Sequence, residues 1–171
     1  MTGKETVQRL LAQGCKLVFW PDKGATKGPS EKDWLEKAKA GYYTIDKYHE
    51  GDRVGVLHGV QLSPGHFIID VDIDYGPGAA IAVAMIPNTR MLWGRPSKRI
   101  SHCLYTAPEL LPMKVYKDLG KNARTLLEFR ADVHQSMIPP TTWEKDGVRE
   151  VLSFIAQDLP THCESAASLL H

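Results

Sequence analysis

The chain has 171 residues, of which 43% are hydrophobic and 24% are charged, and its formal net charge is +1. This composition indicates an ordinary globular protein, so we expect a single domain over residues 1–171. The balanced charge gives little support for a nucleic-acid partner, because proteins that neutralise many phosphates are usually basic overall. The cysteines are isolated and the longest apolar stretch is confined to 79–86, so we expect a reduced, cytoplasmic protein without a disulfide framework or a membrane anchor.

The first fifty residues predict two helices on either side of a strand. Apolar residues recur at helical spacing in the first segment, whereas Ser30 and Asp33 resemble a capping box at the start of the second helix. In chain order, these elements are a helix over 5–13 closed by Gly14, a strand over 16–20, a polar loop over 21–29 and a helix from 30 to Gly41.

From Arg53 onward, short runs rich in β-branched and aromatic residues predict a sheet. The predicted strands are 53–57, 66–72, 90–93, 101–105, 114–118, 125–130 and 135–138. Helices are expected over 78–85 and 147–157, and we expect the tail after Pro160 to fray or to lead into a further domain. These elements predict an α+β fold with a mixed, largely antiparallel sheet.

The predicted strand that begins at His66 carries an acidic pair. Because side chains alternate along a strand, Asp70 and Asp72 share one face and Ile69, Val71 and Ile73 share the other. Two neighbouring carboxylates repel each other, and a hard cation such as Mg²⁺ or Mn²⁺ is their natural stabiliser. We expect both carboxylates to face solvent, so that replacing both with Ala would leave the fold intact.

An Asp-x-Asp strand is compatible with several kinds of site. A calcium loop that began at Asp70 would need Gly and Glu where Tyr75 and Ile81 stand, which excludes it. A phosphatase of the haloacid-dehalogenase type would use Asp70 as nucleophile and Asp72 as acid/base, and it remains a distant alternative because Asp74 replaces its usual Thr or Val. A polymerase-β-like transferase needs an upstream Gly-Ser pair, which the chain lacks. A surface strand with solvated aspartates also remains open.

Two further segments carry candidate site residues. Glu128 and Arg130 share one face of a predicted strand, although alone they are equally compatible with an exposed cross-strand pair. Between 75 and 108 the chain has no acidic residue, which indicates a positive surface or a solvated basic loop. The groups of this stretch that are suited to phosphate are Arg90, Arg95, Lys98, Arg99, Ser101 and His102.

In their order, these pieces resemble the N-terminal primase-polymerase domain of bifunctional replication proteins, a branch of the archaeo-eukaryotic primase superfamily. The matching segments are 27–29 with Trp34, 54–59, 69–72, 94–97, 101–105, 127–130 and 135–141. Two departures stand out. The superfamily usually has Ser-x-His where Ser101 directly precedes His102, and it commonly ends its last turn in Pro-Pro-Ser where this chain has Thr141.

The resemblance implies a DNA primase and DNA polymerase, a nucleotidyltransferase in which Asp70, Asp72 and Glu128 are catalytic carboxylates that hold two Mg²⁺ or Mn²⁺ ions. It implies that His102 holds the triphosphate, and the candidates to assist it are Ser101, Arg95, Lys98, Arg99 and Arg130. Asp74 would join the metal ligands only if the strand extends as far as this residue, and the chain is expected to turn at 75–77.

The resemblance also implies the partners and the architecture. The partners would be a single-stranded DNA template, a primer and NTP or dNTP. The chain would be the N-terminal part of a longer replication protein with further domains or a helicase. Its sheet would resemble an RNA-recognition motif packed beside a smaller α/β unit. The alternative from another class is a replication-protein domain that binds DNA or nucleotide without catalysis.

Overall fold

The structure, a computed structural model, describes residues 2–23, 28–119, 123–132 and 134–170. Lys27, which belongs to the motif at 27–29, lies outside the described residues. The described helices are α1 (Gly3–Ala12), α2 (Trp34–Lys39) and α3 (Ala79–Met85), with 3-10 turns at Ile45–Lys47, Gly76–Gly78 and Ala166–Leu169. None of these helices is long and apolar enough to cross a membrane.

The described strands carry most of the regular structure. They are β1 (Leu17–Trp20), β2 (Arg53–Leu57), β3 (Gln61–Ser63), β4 (His66–Ile73), β5 (Met91–Arg95), β6 (Lys98–Ala107), β7 (Lys114–Lys117), β8 (Thr125–Arg130), β9 (Gln135–Ile138), β10 (Thr142–Lys145), β11 (Val148–Val151), β12 (Ser153–Gln157) and β13 (Thr161–His162).

These strands form two sheets and a separate hairpin. The larger sheet has the order β12-β5-β6-β4-β8-β7, with β3 paired to β4 and β13 paired to β6. The smaller sheet has the order β1-β2-β9, and β10 pairs with β11 alone. Among the described pairings, all are antiparallel except β13 with β6, so the structure confirms the predicted α+β class with largely antiparallel sheets.

The two N-terminal helices begin differently. Thr2 and Glu5 form a capping box at the start of α1, in which the Thr2 hydroxyl accepts from the Glu5 N–H and the Glu5 carboxylate accepts from the Thr2 N–H. Helix α1 ends before Gly14, whose φ of +90° is the conformation that favours glycine. The capping box predicted at Ser30 is wrong, because α2 begins at Trp34 and Asp33 makes no side-chain cap.

The helix predicted over 147–157 is also wrong, because this segment forms β11 and β12. Asp146 and Gly147 both have positive φ, 51° and 77°, and they turn the chain from β10 into β11. An Asp-Gly pair between strands is a strong hairpin signal, and it overrides the helical spacing of the apolar residues that follow. The tail does not fray over 161–170, since β13 pairs with β6 and Ala166 and Leu169 are buried.

Two hydrophobic clusters cover opposite faces of the larger sheet. On one face, Ile68, Trp93 and Leu104 pack with α1, β1 and β2. On the other face, Ile69 and Val71 pack with α3 and the last 3-10 turn. The apolar back predicted for the acidic strand is therefore confirmed, and the opposite face of β4 points toward the smaller sheet.

Candidate functional site

Strand β4 places the acidic pair between two partner strands. Asp72 lies opposite His102 of β6 on one side and opposite Glu128 of β8 on the other. Asp70 lies opposite Arg130 of β8. Because directly opposed residues of antiparallel strands point to the same face, the register brings these five side chains together.

These strands line a cleft of about 650 Å³ between the larger sheet, β9 and the β10–β11 hairpin. Of the nine site residues predicted from the sequence, seven line this cleft: Asp72, Arg95, Lys98, Ser101, His102, Glu128 and Arg130. Asp70 and Arg99 are not among its described lining residues. The two exceptions lie in different places, Asp70 beneath the cleft and Arg99 on the outside of the sheet.

Three carboxylates form the acidic group of the cleft, Asp72, Asp74 and Glu128. One oxygen from each can be chosen so that all three lie within 4.8 Å of one another. The Asp74 side chain is 38% exposed, whereas that of Asp72 is 8% exposed. Although β4 ends at Ile73, the Asp74 N–H donates to the Leu126 carbonyl and keeps the residue beside β8.

Two cations balance the acidic group. Arg130 reaches Asp72 Oδ2 at 2.7 Å and Glu128 Oε2 at 2.6 Å, and Lys98 Nζ lies 3.5 Å from Asp74 Oδ1. Asp72 Oδ1 is buried with no hydrogen-bond partner among the described residues. Hard carboxylate oxygens, one of them buried and without a hydrogen-bond donor, are the donor set that a divalent oxygen-binding cation requires. The acidic group therefore could hold a metal ion.

The expectation that both aspartates face solvent is wrong, because Asp72 is 5% exposed and Asp70, which occupies a different environment, is fully buried. Its side chain is 0% exposed, and its Oδ2 accepts from His102 Nδ1 at 2.9 Å and from Ser136 Oγ at 2.5 Å. Burial alone would raise the pKa of Asp70. Interactions with His102, His58 and Arg130 oppose it and hold the pKa well below its usual range.

The His102 ring is held on one face and at one edge. It stacks on Trp93 with ring centroids 5.0 Å apart and planes inclined by 18°. The Trp93 ring is itself buried, and its Nε1 donates to the Met137 carbonyl at 2.9 Å. Burial lowers the pKa of His102, but Asp72 and Asp70 outweigh it and leave the pKa above its ordinary value. The site therefore favours a cationic imidazole between two carboxylates.

The cations predicted to meet phosphate separate into two sets. Arg95 lines the cleft, where its guanidinium lies 3.9 Å from the centre of the Trp143 ring and its Nε lies 3.0 Å from Glu150 Oε2. Lys98 lines the cleft beside the acidic group. Arg99 is exposed and borders a second groove, which Arg95 also lines, and Arg90 is paired with Asp158 at 3.3 Å.

Ser101 makes a structural contact within the cleft. It is buried, and its Oγ donates to the Lys98 carbonyl at 3.0 Å. The pairing of β5 with β6 shifts register between Trp93 and Arg95, so the local alternation of β6 is irregular near this residue. Ser101 and His102 therefore both border the cleft although they are adjacent in sequence.

Sequence reasoning missed two members of a buried polar group formed by Asp70, His58 and Ser136. The His58 Nδ1 donates to the Asp132 carbonyl at 3.0 Å, and its Nε2 lies 3.3 Å from Ser136 Oγ. Both residues stand inside segments that carry the resemblance, 54–59 and 135–141. For His58, the available signal was a polar residue directly after an apolar strand.

Comparison with known proteins adds no relative. No protein-family model, no curated protein and no solved structure matches this chain.

Proposed function

We propose that this chain is a template-directed nucleotidyltransferase with DNA primase and DNA polymerase activity. It would make or extend primers from NTP or dNTP on a single-stranded DNA template. The observation that carries the proposal is the juxtaposition of the acidic group with His102, Lys98 and Arg130 in one cleft. Nucleotidyl transfer needs both carboxylates for metal ions and cationic donors for a triphosphate.

Asp72, Asp74 and Glu128 would hold two metal ions, either Mg²⁺ or Mn²⁺. A bound metal would supply charge neutralisation at the phosphate that is attacked and activation of the primer hydroxyl. The chain's own part is positioning. His102, Lys98 and Arg95 would bind the triphosphate from one wall of the cleft, because each is a donor that lines it.

The proposal extends to the surroundings of the site. The larger sheet would correspond to the half that resembles an RNA-recognition motif, and the smaller sheet with α1 and α2 would be the smaller α/β unit. Support comes from the hydrophobic cluster shared by α1, β1 and β2. The chain would work in the cytoplasm as part of a longer replication protein, and its three cysteines are free and buried.

One observation favours a second candidate, a domain that binds DNA or nucleotide without catalysis. Arg130 already pairs with both Asp72 and Glu128, so two of the three carboxylates are balanced by a cation of the chain itself. The phosphatase alternative has weaker support, because its nucleophile would be Asp70. That side chain is 0% exposed and is not among the described residues lining the cleft.

Primer extension tests the proposal and separates the two candidates. Wild-type protein, a primed template, Mn²⁺ and labelled dNTP or NTP should give extension products. Asp72→Asn should lower the extension activity by more than the roughly 10- to 100-fold that is typical of changing a residue outside a metal's ligand set. Arg99→Gln is the matched control, because Arg99 is charged and exposed but does not border the cleft, and it should extend normally. Template binding without extension by the wild type would instead favour the binding domain.

A further inference from the structure

Asp70 and Asp72 lie two residues apart on one face of β4, yet their oxygens have different partners. Oxygen atoms of Asp72 can approach those of Asp74 and Glu128, whereas Asp70 is not a member of this group. Both hydrogen bonds of Asp70 fall on Oδ2, one from His102 and one from Ser136. Asp70 therefore contacts the Nδ1 edge of the His102 ring from beneath the cleft.

The contact with Asp70 determines which edge of His102 is available. A carboxylate oxygen only accepts, so His102 Nδ1 carries the proton of the 2.9 Å hydrogen bond. The other ring nitrogen, Nε2, is then left for the cleft that His102 lines. Stacking on Trp93 prevents the ring from tilting, because Trp93 is buried and its indole N–H is bonded to Met137.

From this geometry we infer that Asp70 is a positioning residue that orients His102 toward the substrate's phosphates and is not itself a metal ligand. The inference rests on the proposed function and divides the acidic pair of β4 between two tasks. Asp72 belongs to the acidic group, and Asp70 belongs to the buried polar group that sets the histidine. Ser136 supports the same oxygen from β9 of the smaller sheet.

Asp70 Oδ1 defines the competing arrangement. This atom is buried and has no hydrogen-bond partner among the described residues. If Asp70 is a metal ligand, Oδ1 is the atom that would bind the cation. The test must therefore separate loss of metal affinity from loss of nucleotide affinity.

The first measurement is Mn²⁺ affinity by titration calorimetry, without nucleotide, for the wild type and for Asp70→Asn, Asp72→Asn and Asp74→Asn. We expect Asp72→Asn and Asp74→Asn to weaken Mn²⁺ binding by more than the roughly 10- to 100-fold that changing a residue outside a metal's ligand set costs. Asp70→Asn should weaken Mn²⁺ binding much less, because the hydrogen bonds of Asp70 go to His102 and Ser136 and not to a member of the acidic group. Equal losses in Asp70→Asn and Asp72→Asn would overturn the inference. Asn keeps the shape of Asp70, so folding should survive.

The second measurement is nucleotide affinity at saturating Mn²⁺. Asp70→Ala should weaken nucleotide binding about as much as His102→Ala does, whereas Asp70→Asn should keep most of the wild-type affinity. The double variant with Ala at both positions should bind nucleotide no more weakly than His102→Ala. Additive losses would reject the coupling of the two residues. If Asp70→Ala does not fold, the Asn variant and the Mn²⁺ measurement still decide whether Asp70 orients His102 or binds the metal. A wild-type protein that binds neither Mn²⁺ nor nucleotide would instead remove the proposed function, and this inference with it.

Discussion

The acidic group and the buried polar group occupy neighbouring positions on one sheet but differ in what surrounds them. Asp72, Asp74 and Glu128 border an open cleft and are balanced by Lys98 and Arg130. Asp70 lies two residues before Asp72 and is covered completely, with hydrogen bonds that close it from solvent. Strand alternation fixes which face a carboxylate occupies, whereas the elements packed above that face fix whether water or a metal can reach it.

The largest contrast between the two groups should be in stability. Asp70→Ala removes the hydrogen-bond partner of His102, whose side chain is 14% exposed, and of buried Ser136, and breaking a buried charged pair typically costs about 3–5 kcal/mol. Asp74→Ala changes a side chain that is 38% exposed, so the free energy of unfolding should change by no more than about 0.5 kcal/mol. Urea unfolding of both variants measures the difference. Similar stabilities for the two variants would mean that Asp70 contributes no more to the stability of the fold than Asp74 does.

The second contrast concerns binding. If the proposed function is right, His102→Ala would remove a charge-assisted contact to phosphate worth about 1.5–3 kcal/mol and should weaken nucleotide binding by roughly ten- to a hundred-fold. Template affinity should hardly change, because the Lys and Arg side chains would neutralise the template. The measurement is nucleotide and template affinity in Mn²⁺ on one primed template. Unchanged nucleotide affinity with a collapse of the chemical step would make His102 a proton-transfer group instead.

A smaller effect should separate the cations inside the cleft from those outside it. Lys98→Gln should weaken template or nucleotide binding several-fold and reduce its salt dependence by about one counterion, since each phosphate contact releases condensed counterions. Arg99→Gln removes the same charge from the exposed outer side and should leave affinity and salt slope unchanged. Equal effects of the two substitutions would mean that binding depends on net charge and not on the cleft.

The sequence was sufficient for β4, β6 and β8 and for most of the cleft, because alternation places Asp72 with Glu128 and His102 once their strands are neighbours. The sequence was insufficient to predict how deeply each carboxylate is buried. The burial of Asp70 depends on β9, whose Ser136 lies 66 residues away in sequence and donates to Asp70, and on His58, which contacts Ser136. The β10–β11 hairpin was missed for a local reason, since the Asp146-Gly147 turn overrides the helical spacing of the residues that follow.

The smallest expected effect tests the buried polar group through His58. Its ring is completely buried, with Asp70, Arg130 and His134 as the charged or titratable groups nearby and the Asp132 carbonyl as its acceptor. Burial lowers the pKa of His58, and the opposing attraction of Asp70 does not restore it. Below the ordinary histidine value of about 6.5, the unfolded chain therefore binds a proton that the folded chain resists.

This residue should make the free energy of unfolding decrease as the pH falls from above 6.5 toward the lower folded-state pKa, with no contribution to the slope at higher pH. His58→Gln removes the titrating group, so the variant should lose less stability than the wild type between pH 7.5 and pH 5.5. Urea unfolding at the two pH values gives the comparison, and the difference between the proteins isolates His58 from the other histidines. Because Asp70 opposes this effect at His58 and also raises the pKa of His102, Asp70→Asn should enlarge the acid-side loss in both backgrounds, and by more in the wild-type background than in the His58→Gln background. Parallel pH dependences in all four proteins would mean that His58 is not held neutral, and that the buried polar group differs from the acidic group in exposure alone.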